Sequence, residues 1–405
     1  MKIIVVGAGI GGASAGIALK RLGHEVVIYD QMRENKPVGA ALSVWSNGMK
    51  VLNWLGLAAE VAALGGSMDD MAYLDGRSGE TLCRFSLAPV TAQTGTRPYP
   101  VARADLQALL MKRFGLDAIR LGMRLSGIAD DGSTVTATFE DGTTDSADLL
   151  IAADGARSAA RDYVTGAAEG GPRVERTYAG YTNFNGLIPV DEAIGPATQW
   201  TTYVADGKRC SVMPVAGDRF YFFADVPQPA GIPYDRAEGK RPLEAAFAGW
   251  APGVQALLAA IDPDTSLNRV EIWDVDPFHT WVRGRVALLG DAAHTTSPDI
   301  GQGACSALED SFALAISLAT NTISIEDSLL RYQQMRSRRA ADLVLRARKR
   351  CRETHAFDPA ATQAWYESLK TEDGTGIIRG IVAAIADSPI NLGGGTSAPR
   401  DRPPA

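Results

Sequence analysis

Four glycine-containing stretches lie far apart in the chain, and the first of them carries residues suited to holding a dinucleotide. The four are Gly7-Ala8-Gly9-Ile10-Gly11-Gly12, Ala153-Asp154-Gly155, Gly290-Asp291 and Pro298-Asp299-Ile300-Gly301-Gln302-Gly303. In the first, Gly7 permits a tight turn, Gly9 lets the backbone approach a pyrophosphate, and Gly12 lets a helix pack closely on a strand. Gly11 belongs to the same turn, and a helix opening there aims unpaired N–H groups at the anion. Asp30 follows eighteen residues after Gly12, where an acidic side chain can accept from a ribose diol. A glycine-rich core turn is the alternative.

These stretches need particular elements to position them. Residues 2–6 form a β-branched run typical of a buried parallel strand, 13–22 have helical spacing of small and apolar residues, and 25–29 form a second strand. Residues 149–152 deliver Asp154-Gly155 to a turn, and Ser158 and Arg161 open a helix after it. Residues 285–290 read as another buried strand. By contrast, 68–98 and 176–279 contain alternating strands such as 219–225, bounded by glycine and proline. Helices are predicted over 303–320, 326 to about 352, and 359 to about 387. The expected fold is α/β: a Rossmann-like nucleotide domain (1–67, 99–175, 280–354) interleaved with an α+β domain on a mostly antiparallel sheet (68–98, 176–279). A C-terminal helical segment (355–390) and a disordered tail (391–405) follow.

Composition narrows the partners. The 405-residue chain carries a formal charge of −7, which disfavours nucleic acid and anionic membranes. No apolar run is long enough to span a bilayer, and Met1-Lys2 leads directly into a strand, so no leader is expected. Cys83, Cys210, Cys305 and Cys351 show no CxxC spacing, and His24, His279, His294 and His355 include no pair at i and i+4. That pattern predicts reduced thiols in a cytoplasm and no metal site. Arg336, Arg338, Arg339, Arg346, Arg348, Lys349 and Arg350 fall on one long helix, read as a solvated or oligomer-facing surface. Oligomeric state is open.

Taken together, the glycine, Asp-Gly and Gly-Asp stretches resemble the class A flavoprotein monooxygenases, the family of para-hydroxybenzoate and salicylate hydroxylases, from residue 1 to about 354. The resemblance implies a glutathione-reductase-type domain with tightly bound, non-covalent FAD. It implies that Asp154 and Arg161 hold a loop beside the flavin, and that Asp291 accepts from ribityl hydroxyls, with Gly290 required because a side chain would meet the cofactor. Arg103 would contact FAD near the isoalloxazine, with Gln31, Ser43 and the Leu125 backbone as lesser contacts. Gly301, Gln302, Gly303, Ala304 and Cys305 would lead a helix N-terminus toward the flavin, where its partial positive charge favours the reduced anion. There is no second GxGxxG before a helix, so NADH or NADPH would visit transiently. Neither the WxWxIP of flavin halogenases nor the FxGxxxHxxxW of Baeyer-Villiger enzymes occurs. Ring hydroxylation by O2, through an oxygen adduct at flavin C4a, is what remains.

Residues 36–45, 199–203, 207–215, 219–223 and 298–303 are similar to the bacterial FAD-dependent urate hydroxylases. That similarity implies oxidation of urate to 5-hydroxyisourate with NADH. By it, Arg209 would pair with the urate anion through a planar fork. Tyr221 would offer its hydroxyl, and Phe222 and Phe223 dry walls or backbone contacts. Asn183 would match donors and acceptors on the purine, and Asp299 would position Arg209 or accept a proton. Each has a plainer alternative: a surface arginine, a core tyrosine, a turn-forming Asn183 and a helix-capping Asp299. His294 reads as packing against the cofactor. A salicylate-like phenolate is the rival substrate, and a flavin-binding sensor or sequestering protein the reading outside enzymes.

Overall fold

The computed structural model describes residues 1–34, 40–319 and 324–392. Residues 36–39 of the urate-like run, and 393–405 of the expected tail, lie outside the described residues.

Lys2–Val6 forms the middle of a six-stranded sheet, with Leu149–Ala152 and Glu25–Asp30 as parallel neighbours. Val286–Leu288 and Ile119–Leu121 extend it in parallel on the two sides. Ile3, Ile4 and Val5 have no exposure at all, as a parallel sheet covered on both faces requires. In register, Val6 lies beside Ala152 and Ala152 beside Leu288. Three strands therefore end on one edge, and their following turns, at Gly7, Ala153 and Gly290, are brought together there although they are far apart in sequence.

A second sheet of seven strands runs in the order Asn268–Val275, Arg176–Pro189, Arg219–Pro227, Lys208–Val215, Gln199–Ala205, Asp70–Asp75 and Thr81–Ser86. All its pairings are antiparallel except Gln199–Ala205 with Asp70–Asp75. Side chains alternate across it. Phe220, Phe222 and Ala224 pack with Leu243, Phe247 and Val254 of the covering helices, while Tyr221 and Phe223 face the other way, toward the glycine turns. Phe222 is thus core rather than a wall of the site, and Cys210, beside Arg209, points into the same core.

Two other departures have local causes. Residues 125–147 hold a small antiparallel sheet that was not anticipated, whose turns at Asp131-Gly132 and Asp141-Gly142 place glycines at φ 85° and 83°. The expected helix over 359–387 divides into Pro359–Leu369 and Thr375–Ala386. The break falls at Gly374, whose φ is 93° and whose absent Cβ would lie 2.3 Å from Phe85.

The Gly303–Leu318 and Ile325–Thr354 helices form close to expectation, but the basic row on the second is not simply a solvated face. Arg336 is fully buried, donating to Glu309 at 2.5 Å and Asp310 at 2.6 Å, and Arg339 donates to Glu309 at 2.7 Å. These pairs pin one helix to the other. Among the described residues, no helix is long and apolar enough to cross a membrane.

Candidate active site

A cavity of about 1000 Å³ separates the glycine-turn edge of the first sheet from the exposed face of the second. Its size is at the upper end of the range for small-molecule sites. Gly9 lines it with φ −68°, and a Cβ there would touch nothing in the protein. Gly7, at φ 107°, and Gly12 have a different reason to be glycine: their Cβ atoms would lie 2.2 Å from the Ala153 oxygen and 1.9 Å from the Gly7 oxygen. At Gly11 a side chain would strike Leu289. Asp30 accepts from the N–H of Ala8 at 2.6 Å and of Met32 at 2.7 Å, tying the second strand's end to the glycine turn.

The middle and late stretches interlock. Asp154 accepts from the N–H of Ala159 and Ala160, capping the helix from which Arg161 projects. Arg161 donates to the main-chain oxygens of Asp291 at 2.9 Å and Ala292 at 2.8 Å, so the Asp-Gly segment holds the Gly-Asp segment at the cavity edge. Gly290 lines the cavity and also has reasons within the fold to be glycine: its φ of 65° with ψ −139° is glycine territory, and its Cβ would meet Ala307. His294, by contrast, does not face the cavity. It lies against Trp281 and bonds Asp310 at 2.6 Å.

Gly301, at φ 63°, turns the chain into the Gly303–Leu318 helix, whose unpaired N–H groups and positive dipole end open on the cavity. Asn47 donates to both Gln302 and Glu309, steadying this entry. Two cavity-lining residues hold buried donors with no partner among the described residues: Arg103 Nε and Trp45 Nε1. Unsatisfied donors around an open glycine turn fit a polar, anionic dinucleotide such as FAD. Ser43, Asp291, Gly303 and Ala304 also line the space. Gln31, Leu125 and Cys305 do not: Gln31 is exposed, Leu125 sits in a strand beside Phe139, and the Cys305 thiol, pushed up to about 12 by burial, accepts from the Trp45 N–H.

Opposite stands a polar row crossing three strands. Asn183 pairs in register with Asp225, and Asp225 with Arg209. Arg209 Nε donates to Asp225 and Nη2 to Asp299 at 3.1 Å. Burial works against its charge, but the two carboxylates hold the guanidinium above its ordinary value. Its side-on pair of donors is therefore engaged, and only the end-on Nη1 and Nη2 face remains for a ligand. Asn183 is likewise engaged, donating to Asp225 and accepting from Asn185, each at 2.6 Å, and it lies mid-strand rather than in a turn.

The Asp299 carboxylate has no exposure, so it positions Arg209 instead of meeting a ligand. Burial alone would raise its pKa, yet Arg209, with His355 and Ser297, holds it well below the usual carboxylate range. Tyr221 faces the cavity, and its hydroxyl makes no hydrogen bond among the described residues. Burial and Asp225 push its pKa up, keeping it a neutral donor.

Asp225, Tyr181 and His355 belong to this network and were not singled out from sequence. Tyr181 donates to Asp299 at 2.9 Å and stacks on His355, whose Nε2 lies 3.4 Å from Asp299. Only the i, i+2 alternation from Tyr221 through Phe223 could have pointed to Asp225. Cys351, His355 and Asp299 bring ligand-type atoms within 4.8 Å of one another, but the Arg209 cation in the same cluster opposes a metal ion there.

Comparison with known proteins agrees with this geometry. The FAD binding domain family matches residues 1–347. The chain is 58% identical over 392 residues to a FAD-dependent urate hydroxylase of Mycolicibacterium vanbaalenii, covering 96% of this chain and 98% of that one. It is 50% identical over 390 residues to a FAD-dependent urate hydroxylase of Klebsiella pneumoniae, covering 96% and 100%. The crystal structure of Klebsiella pneumoniae HpxO complexed with FAD and uric acid superposes with a TM-score of 0.92 at 49% identity, covering 96% and 98%.

Proposed function

Since this chain belongs to the class A FAD-dependent hydroxylases, in the group of the bacterial urate hydroxylases, we propose that it converts urate to 5-hydroxyisourate. Urate, O2, NADH and a proton give 5-hydroxyisourate, NAD⁺ and water. Bound FAD supplies the redox chemistry, taking hydride from the nicotinamide and activating O2. The observation that carries this reading is the buried Asn183–Asp225–Arg209 row facing the Gly301–Ala304 turn across one cavity.

The protein's own part is to hold and to shield. Gly9 and the Ile10–Arg21 helix N-terminus would take the pyrophosphate, Arg161 would keep Asp291 in place for the ribityl chain, and the Gly303–Leu318 helix end would face the isoalloxazine. Arg209, through its end-on donors, and the Tyr221 hydroxyl would bind the urate anion, while Trp45, Trp200, Met213 and Phe223 exclude water that would otherwise divert oxygen to peroxide. Urate's alternating ring oxygens and nitrogens suit this set better than salicylate. The side-on donors of Arg209 are held by Asp225 and Asp299, which leaves its end-on pair and the Tyr221 hydroxyl to meet the ring's several acceptors.

The test is NADH oxidation, first anaerobic and then aerobic, with urate, xanthine and salicylate in turn, following product absorbance and peroxide together. Urate should accelerate NADH oxidation with little peroxide. A yellow protein whose NADH use ignores urate would overturn the reading.

A further inference from the structure

The Ile325–Thr354 helix carries two kinds of cation. Arg336, Arg339 and Arg348 each hold carboxylates at 2.9 Å or less. On either side of Arg348, Arg346, Lys349 and Arg350 lie at i, i+3 and i+4 on one helix face, and all three line the cavity. Arg346 is exposed and makes no ion pair among the described residues. The Lys349 side chain is 80% exposed and only 3.9 Å from Glu353. Arg350 lies 4.1 Å above the Trp365 ring and 3.7 Å from the same glutamate. Three cations against one carboxylate make a positive rim on a chain whose formal charge is −7. The helix also packs against the Pro298–Ile300 turn, so the rim adjoins the segment that would face the flavin.

Two anions must use this cavity, and their chemistry differs. Urate is a singly charged ring with its own contacts at Arg209 and Tyr221. The reductant brings a diphosphate, yet the chain has no second GxGxxG between a strand and a helix to receive it. Exposed, loosely engaged arginine and lysine suit a phosphate group that docks and leaves. We propose that Arg346, Lys349 and Arg350 form the docking site for the diphosphate of the nicotinamide dinucleotide, holding it while the nicotinamide enters the cavity. The proposal rests on the hydroxylase reading above.

The experiment uses the FAD-loaded enzyme and the Arg346→Ala/Lys349→Ala double variant, both substitutions being at the surface. Anaerobic stopped-flow reduction across NADH concentrations gives the NADH Kd and limiting rate, and calorimetry with ADP-ribose reads the diphosphate contact without any turnover. The variant should bind NADH and ADP-ribose about ten-fold more weakly or worse, with limiting reduction rate, FAD content and urate Kd unchanged. An unchanged NADH Kd overturns the proposal. So does an equal loss of urate affinity, which would make the rim a general anion funnel. Wild-type enzyme that ignores urate but binds ADP-ribose through these residues would overturn the function above and leave the docking site standing.

Discussion

Tyr181 donates its hydroxyl to Oδ2 of Asp299 at 2.9 Å, while Oδ1 of the same carboxylate accepts from Arg209 at 3.1 Å. A phenol that does not line the cavity thus sets the angle of the arginine that does. Tyr181→Phe removes this one donor without changing charge or ring stacking on His355. It should cost about 1 kcal/mol of stability. The urate KM should rise roughly three- to ten-fold, with more peroxide per NADH and an unaltered NADH Kd. Steady-state kinetics with peroxide quantified would check it, and fully coupled turnover at the wild-type KM would remove Tyr181 from the positioning chain.

Gly9 and Gly12 separate cofactor contact from fold. An alanine Cβ at Gly9 meets no protein atom, and its backbone angles are ordinary for any residue, so Gly9→Ala should leave thermal stability of the FAD-free protein nearly unchanged. Its methyl would instead project where a pyrophosphate must come close, and flavin retention should fall by at least about ten-fold. At Gly12 the same methyl lands 1.9 Å from a carbonyl oxygen of the turn, so Gly12→Ala should impair folding itself. Melting curves of FAD-free protein beside flavin fluorescence titrations decide both. A Gly9→Ala protein as yellow as wild type would place the pyrophosphate elsewhere.

Arg161 carries the link between the two later motifs. Arg161 is 3% exposed, and its guanidinium donates to the carbonyls of Asp291 and Ala292. Arg161→Met keeps the aliphatic stem but strands those carbonyls, at a cost of about 1–3 kcal/mol. The Asp291 loop should loosen and FAD affinity should drop, while urate contacts on the opposite sheet stay intact. Dialysis of the holoenzyme followed by flavin absorbance would show the loss, and full retention would mean that Asp291 needs no such tether.

What was legible in the sequence had a local signature. The glycine turn and Asp30 declare themselves through spacing, the strand-to-turn stretches at Asp154 and Asp291 through resemblance, and parallel pairing then brings them to one edge. Arg209, Tyr221 and Asp299 came through resemblance, and the structure gathers them on one side of the cavity. Side-chain direction was harder. Phe222 follows Tyr221 in sequence, yet strand alternation sends it into the far core. Long-range polar pairing was not legible at all: Asp225, Tyr181 and His355 gain their meaning only when three strands and a helix end converge on Asp299. Similarly, Arg336 looks like its exposed neighbours until Glu309 and Asp310 are seen beneath it.

The two carboxylates beneath Arg336 contribute to acid stability. Burial would push the Asp310 carboxyl up, but His294 and Arg336 hold it down to about 2, and Glu309 is lowered in the same way by Arg336 and Arg339. A carboxyl lower in the folded state than in the unfolded chain stabilises the fold above its unfolded pKa of about 3.9. That contribution is about 2.6 kcal/mol for Asp310, complete at neutral pH and lost as pH falls from about 4 toward 2. Asp310→Asn removes the carboxylate while leaving Arg336 and His294 buried, so it should destabilise by about 3 kcal/mol near pH 7. The gap in melting temperature between wild type and variant should therefore narrow below pH 4, because the wild type loses there what the variant already lacks. Thermal melts from pH 7 to pH 3 would measure it. A gap that stays constant across that range would show that the Asp310 carboxylate is not held down by its partners.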